Sequence, residues 1–204
     1  LYTSFGLLIN ITMTILGAYP LSRKDLAGRN FLMLFFTFTM FFSGGLIPTY
    51  LVIKSLRMVN TIWALVLPGA ISITNLIIAR TFFVNGIPYD LNESALIDGA
   101  CNLRVLLSII LPLSKPIIAV LAIYYGVSHW NSYFLGLIYI SDSNKYPLQL
   151  VLRNILLQNQ MTEMMDSSML AADQLLLQEG MKYAIVLVSS IPVLLLYPFV
   201  QRYF

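Results

Sequence analysis

The stretch ESALIDGACNLRVLLSIILPLSKP, residues 93–116, has the pattern of two short helices joined by a tight turn. Pro88 suits the start of the first helix, because its missing N–H is not needed there. Asp90 and Glu93 follow in the first turns, where carboxylates favour the positive end of the helix dipole. Gly99 can adopt the positive φ that ends a helix. A compact helix-turn-helix is therefore predicted.

The second helix is predicted over residues 101–111, and Pro112 should prevent its continuation. We expect it to be stiffened by apolar packing of the residues Leu103, Leu106, Leu107 and Ile110. Such a rigid knob can transmit a displacement. The alternative is an amphipathic helix that lies on a membrane surface.

Composition places this stretch in a membrane protein. Of the 204 residues, 58% are hydrophobic and 10% are charged, and the mean hydropathy is +0.80. An ordinary soluble domain is about one-quarter charged. Five windows without Asp, Glu, Lys or Arg underlie five predicted transmembrane helices, at about residues 1–22, 31–53, 61–80, 113–140 and 183–201. Each window approaches the roughly 20 residues needed to cross a bilayer. The predicted fold is all-α, a polytopic helical membrane protein with residues 1–204 as one domain.

The charges of the loops indicate an orientation. The short loop LSRKDLAGRN, residues 21–30, is the clearest positive-inside signal. If it is cytoplasmic, so is the loop 86–112, and residues 142–182 lie outside. Within that outer segment, residues 147–160 have the spacing of an amphipathic helix.

Glycine and proline interrupt several predicted spans. Gly44, Gly45 and Pro48 fall in the second span, and either a kink against a neighbouring helix or a break that lines a path would explain them. Further interruptions occur at Pro68-Gly69, Pro192 and Pro198.

A family resemblance rests on the first stretch. Glu93-x-Ala95, Gly99 and, after nine intervening residues, Ile109-x-Leu111-Pro112 resemble the EAA loop of binding-protein-dependent ABC importer permeases. Ser94 replaces the usual alanine. Segments such as AYPLSRKDLAGRN (18–30) and LPGAISITNLIIARTFF (67–83) are similar to the carbohydrate-uptake branch, most of all to permeases of aldouronate and other complex oligosaccharides.

The resemblance implies a helical permease with six spans, so one span and a short C-terminal tail would lie outside this sequence. It also implies that the 86–112 loop docks on a cytoplasmic ATPase. The implied ATPase-coupling residues are Glu93, Ser94, Ala95, Asp98, Gly99, Ala100, Ile109, Leu111 and Pro112. ATP and Mg²⁺ would be used by that partner, with no cofactor or metal bound by this chain and no catalytic role for it.

The implied partners are a second homologous permease, a dimer of ABC ATPases, membrane lipid and an extracytoplasmic sugar-binding protein, lipid-anchored or free. Nucleic acid is not among them. The implied location is the plasma membrane of a bacterium, crossed several times, and the sequence does not identify the sugar.

Sugar contacts require aromatic and polar side chains in a mostly apolar cavity. The candidate residues for the substrate path are Asn75, Tyr124, Tyr125, Ser128, Asn131 and Phe134. Anchoring at the membrane interface or hydrogen bonding between helices would explain them as well, and the second permease could hold all the sugar contacts. His129, the single histidine, is interpreted as structural.

Two other functions compete with this interpretation. A secondary transporter usually carries ionisable residues within its spans, and the five windows contain none of the four charged types. A structural membrane subunit without a path of its own is harder to exclude. Copurification with an ATPase, lost when residues 93–99 are altered, would separate these possibilities.

Overall fold

The computed structural model describes residues 2–166 and 172–201, and every regular element in that part of the chain is helical. In chain order the α-helices are α1 (Tyr2–Ser22), α2 (Arg29–Phe41), α3 (Leu46–Ser55), α4 (Trp63–Val66), α5 (Ile73–Asn85), α6 (Asp90–Ile97), α7 (Asn102–Val105), α8 (Leu111–Leu113), α9 (Lys115–Trp130), α10 (Tyr133–Tyr139), α11 (Leu148–Asp166) and α12 (Ala172–Gln201). A π-helical turn, Leu106–Ile110, joins α7 to α8, and a 3₁₀ turn, Ser143–Lys145, precedes α11. The all-α prediction is confirmed for these residues.

Helix α1 is the central element, packed mainly against α5 and α9. Its buried residues include Gly6, Asn10, Thr14 and Ala18, which the four-residue spacing places on one face. Small side chains on such a face let neighbouring helices approach closely. The buried core continues through Leu76 of α5 and residues of the loop 86–112 and α9.

The predicted second span, residues 31–53, is not one helix. Helices α2 and α3 meet at 109° across a short break. Gly45 lies in this break with φ of 84°, a conformation that other residues adopt at a cost. The interruption therefore separates two helices instead of kinking one.

The predicted spans 61–80 and 113–140 are also divided. Helix α4 ends at Val66, ahead of the Pro68-Gly69 turn, and α5 runs on to Asn85. Helix α9 ends at Trp130, and the chain turns before α10 begins. In both cases a local turn, and not hydropathy, sets the helix boundary.

The last predicted span lies within α12, which contains both Pro192 and Pro198. The prediction that these prolines interrupt the helix is therefore wrong. A proline weakens the hydrogen-bond ladder of the preceding turn. Trp130 Nε1–H donates to the carbonyl oxygen of Ser189 at 2.9 Å, so a carbonyl group in that turn has a partner on α9.

Helix α11 begins directly after Pro147, as predicted for the amphipathic segment. Residues 167–171 of the predicted outer segment 142–182 lie outside the described residues.

Among the described residues, α1 alone is long and apolar enough to cross a membrane unaided. The number of possible spans rises to three if α2 with α3 and the run Asn102–Leu113 with α9, bent by 81°, each count as one. Ile73–Asn85 and Gly180–Leu195 are apolar but shorter. The predicted count of five spans is not confirmed on these criteria.

Candidate functional site

The loop of residues 86–112, called the coupling loop after its predicted role, contains a helix that ends at a glycine. Gly99 follows α6 with φ of 77°, as the sequence predicts. Its N–H donates to the carbonyl oxygen of Leu96 at 3.0 Å, and the N–H of Ala100 donates to that of Ala95 at 2.9 Å. This pair of bonds is a Schellman motif. It satisfies the end of α6 and fixes the angle at which the chain turns toward α7.

The predicted coupling residues divide into an outward and an inward set. Exposed positions carry Glu93, Ser94, Asp98, Gly99 and Pro112. The inward set contacts the core: Ala95 is buried, whereas Ala100, Ile109 and Leu111 are partly buried.

Two expectations about the second half of the loop are wrong. Leu106 and Ile110 are buried, but Leu103 and Leu107 are 59% and 56% exposed. The helix also continues through Pro112 to Leu113. The N–H of Leu111 bonds to the carbonyl oxygen of Leu106, and this wider π turn accommodates the proline ring.

A polar cluster connects α1 to the coupling loop. Arg23 is 8% exposed and donates from Nη1 to Oδ1 of Asn102. Its Nε and Nη2 donate to the two carboxylate oxygens of Asp25, each at 2.8 Å. Arg80 Nε donates to the carbonyl oxygen of Leu21 at 3.0 Å. The end of α1 is thus held to both α5 and the loop.

The charges in this cluster stabilise each other. The hydrogen bond to Asp25 raises the pKa of the Arg23 guanidinium above its ordinary value. The same bond holds the pKa of the Asp25 carboxyl below its usual range. Both groups therefore stay charged at neutral pH, which suits a charge-assisted, bidentate pair.

A cleft of about 440 Å³ lies between α1, α5 and α9. The hydroxyl group of Tyr125 lies 2.7 Å from Oγ1 of Thr14 and accepts a hydrogen bond from the N–H of Ser72 at 3.0 Å. Tyr125 thereby joins three elements of the cleft. The described residues that line the cleft include no Asp, Glu, Lys or Arg.

The structure brings four of the predicted path residues into this cleft: Asn75, Tyr124, Tyr125 and Ser128. Asn131 and Phe134 do not line it. Their predicted place on the same face assumed a helix continuing past Trp130. Because α9 ends there, Asn131 is its C-terminal cap and Phe134 belongs to α10.

Sequence reasoning missed the contribution of α1 to the cleft. Asn10 lines it, is 1% exposed and donates from Nδ2 to the carbonyl oxygen of Gly69 at 3.1 Å. His129 also lines it and is buried, with its ring against Gly6. Asn10 Oδ1 and His129 Nε2 have no hydrogen-bond partner in the described structure. The four-residue spacing of Gly6, Asn10 and Thr14 could have indicated a face of α1 that packs against other helices.

Residues 7–204 match the family model described as binding-protein-dependent transport system inner membrane component. The chain belongs to this family. As a member of the family it is a membrane protein and a transport permease.

Two relatives from one bacterium are similar to this permease, and the name of one states a polysaccharide substrate. The polygalacturonan/rhamnogalacturonan transport system permease protein YtcP of Bacillus subtilis is 45% identical, over 99% of this chain and 70% of that protein. Protein LplC of the same organism is 44% identical, over 99% and 68% respectively. Both relatives are similar to this permease over nearly its whole length.

A solved structure has the same fold. It is the crystal structure of a bacterial ABC transporter involved in the import of the acidic polysaccharide alginate, with a TM-score of 0.85 and 30% identity, covering all of this permease and 71% of that chain. The comparisons confirm the predicted family and class of function, a permease subunit of a carbohydrate importer.

Proposed function

We propose that this permease forms part of the translocation path of an ATP-driven oligosaccharide importer and is moved by a cytoplasmic ATPase that docks on its coupling loop. The observation that carries the proposal is the loop itself. Its exposed face combines carboxylates with apolar side chains: Glu93 and Asp98 are exposed, and Ile97 and Leu103 are 86% and 59% exposed. Such a mixed surface suits a protein groove.

The connection of the loop to α1 supports a mechanical role. Asn102 lies on α7 and accepts from Arg23 at the end of α1, and Ala95 packs in the core that α1 shares. A displacement of the loop would therefore move α1. Since α1 lines the cleft through Asn10, closure of the ATPases could alter the cleft. ATP must bind the closed ATPases more tightly to drive such a change.

The cleft is our candidate for the sugar path. It contains hydroxyl, amide and aromatic groups from α1, α5 and α9, which is the chemistry that recognises sugars. The alginate transporter and the polygalacturonan relative point to oligosaccharides of acidic polysaccharides as the first substrates to test. Because the described lining carries no Lys or Arg, a carboxylate on the sugar would be neutralised by another subunit.

The assembly follows from the same proposal. Five membrane spans are formed partly by bent helix pairs, with residues 86–112 in the cytoplasm and residues 142–182 outside, in a bacterial plasma membrane. A second permease encloses the path, two ATPases use ATP and Mg²⁺, and a sugar-binding protein delivers the substrate to the outer face. The chain itself holds no cofactor.

Affinity purification tests the docking step. The tagged permease should copurify with a nucleotide-hydrolysing protein, and Glu93→Lys should abolish that capture while leaving the amount of permease in the membrane unchanged. Lys54→Gln, on an exposed position of α3, is the control. Unchanged capture by Glu93→Lys, together with normal oligosaccharide uptake, would contradict the assigned role of the loop.

A further inference from the structure

A separate cleft of about 210 Å³ lies where the end of α1, the end of α5 and the start of the coupling loop meet. Four basic side chains line it, and we call it the basic cleft: Arg23, Lys24, Arg29 and Arg80. They come from the turn after α1, from the first residue of α2 and from α5. The fold thus brings Arg80 to three basic residues that lie within seven positions of one another in the loop 21–30.

The charges of the basic cleft are not balanced. Asp25 pairs with Arg23. Among the residues that the structure describes, Lys24, Arg29 and Arg80 form no ion pair. Like charges gathered in this way repel each other, and an anion between them would relieve the repulsion.

The three cations have partners that position them without neutralising them. Lys24 Nζ lies 4.8 Å from the centre of the Tyr89 ring. Arg29 Nη1 donates to the carbonyl oxygen of Arg23 at 3.4 Å. Arg80 Nε donates to the carbonyl oxygen of Leu21 in α1. An arginine has five N–H donors, so donors remain for an anion. Arginine and lysine are the side chains that proteins use for phosphate.

We propose that the basic cleft binds a phosphate group, carried by an anionic lipid headgroup or by a free phosphate anion. The lipid alternative depends on the orientation proposed above. That orientation places the basic cleft near the cytoplasmic surface of the membrane, where anionic headgroups attract basic residues. A bound phosphate would link the turn after α1 to Tyr89 and Asn92 of the coupling loop, since these residues also line the cleft. It would thereby steady the loop for docking.

Binding is measured on the full-length permease in the assembly that purifies with it from membranes. The assembly is placed in nanodiscs of phosphatidylcholine, whose choline cancels the phosphate charge, with or without phosphatidylglycerol. Native mass spectrometry reports retained phosphatidylglycerol. Equilibrium dialysis with radiolabelled inorganic phosphate in phosphatidylcholine nanodiscs reports the free anion. These two readouts do not depend on transport, so they can fail independently of the proposed function.

The variants are Lys24→Gln and Arg29→Gln, with Lys54→Gln, which does not line the cleft, as the matched control. Each cleft variant should weaken binding of phosphatidylglycerol or of inorganic phosphate by about fivefold, because this is the effect of removing one basic residue near a phosphate. Loss of phosphatidylglycerol alone identifies a lipid headgroup, and loss of inorganic phosphate identifies a free anion. If Arg29→Gln fails to assemble, Lys24→Gln, at an exposed position, still decides. Equal binding in the control and cleft variants, or no binding of either probe, would overturn the site.

Discussion

Arg23 donates a hydrogen bond to the side-chain oxygen of Asn102 across 79 positions of sequence. The first residue follows α1 directly, and the second begins α7 of the coupling loop. Because the guanidinium is buried and also paired with Asp25, the arginine is held in a defined position for this contact. It gives the loop a defined attachment to the helix at the centre of the fold.

Removing the acceptor should loosen this attachment. Asn102→Leu keeps the approximate size of the side chain but leaves Arg23 without that partner. Losing a hydrogen bond to a charged group costs about 1.5–3 kcal/mol. We expect oligosaccharide uptake in reconstituted vesicles to fall roughly tenfold while ATP hydrolysis is less affected. Asn85→Leu, at an exposed position of α5, is the control, and an unchanged ratio of uptake to hydrolysis would argue against transmission through this contact.

The Arg23–Asp25 pair predicts a dependence on pH. The pKa of Asp25 is lowered by the hydrogen bond from Arg23, so the folded state favours the ionised form. Its contribution is fully present above the unfolded pKa of about 3.9 and is lost as the pH falls through the lower folded pKa. Asp25→Asn should therefore lower the Tm of the purified protein equally at pH 8 and pH 6. The difference should shrink below about pH 4, and a difference that shrinks between pH 8 and 6 would contradict this.

Gly99 should be replaceable only at a cost in backbone conformation. A Cβ atom there would meet no other atom within 4 Å, so sterics with neighbours do not matter, but φ of 77° disfavours L-residues. Gly99→Ala should cost about 1–2 kcal/mol, and Gly99→Asn less, since asparagine tolerates this region better. Oligosaccharide uptake should be highest for the wild type, lower for Gly99→Asn and lowest for Gly99→Ala, with equal amounts of protein in the membrane. Gly180→Ala, which has ordinary φ and open space, should transport normally.

Gly6 is predicted to be required by the ring of His129. A Cβ atom at position 6 would lie 2.7 Å from Nε2 of His129, and overpacking of this kind costs about 1–3 kcal/mol. Gly6→Val should lower the Tm of the purified protein, and a second substitution, His129→Ala, should restore part of the loss. Gly126→Ala is the control, because its Cβ would have no atom within 4 Å. A double variant no more stable than Gly6→Val would exclude this clash as the cause.

Tyr125 is expected to act through its hydroxyl group. Tyr125→Phe removes the contacts to Thr14 and to the N–H of Ser72, and an unpaired buried group costs about 1–3 kcal/mol. The Tm should fall, and oligosaccharide uptake should fall with it. A double-mutant cycle with Thr14→Val measures the coupling between the two side chains. Strictly additive effects would mean that the 2.7 Å contact contributes nothing.

Local sequence signals predicted the first helix of the loop 86–112 and the glycine that ends it. Asp90 and Glu93 at the start of α6 and Gly99 at its end are features of short-range geometry, because caps and positive φ depend on adjacent residues. The division of the loop into exposed and buried sides was less predictable. Leu103 and Leu106 are equally apolar, and only their neighbours in the fold determine that the first is exposed.

Hydropathy predicted membrane segments but not helix boundaries. Residues 116–140 contain no Asp, Glu, Lys or Arg, yet the chain turns at Asn131. Two predicted path residues, Asn131 and Phe134, therefore do not lie on the expected face of α9. Proline also did not predict helix ends consistently. Pro68 lies beside a break, whereas Pro112 and Pro192 lie within helices. A π turn precedes Pro112, and near Pro192 the carbonyl oxygen of Ser189 accepts a hydrogen bond from Trp130 of α9.

The sequence by itself determined that this chain is a helical membrane protein with a helix ended by Gly99, because apolar windows and turn residues act locally. The permease function was indicated by the resemblance of residues 93–112 to a known family. Only the tertiary structure decided which residues meet. It placed Asn10 and His129 in one cleft with Tyr125, joined Arg23 to Asn102, and gathered Lys24, Arg29 and Arg80. Asn10 and His129, Arg23 and Asn102, and Lys24 and Arg80 are each distant in the chain, and no spacing rule within one helix specifies the packing that brings them together.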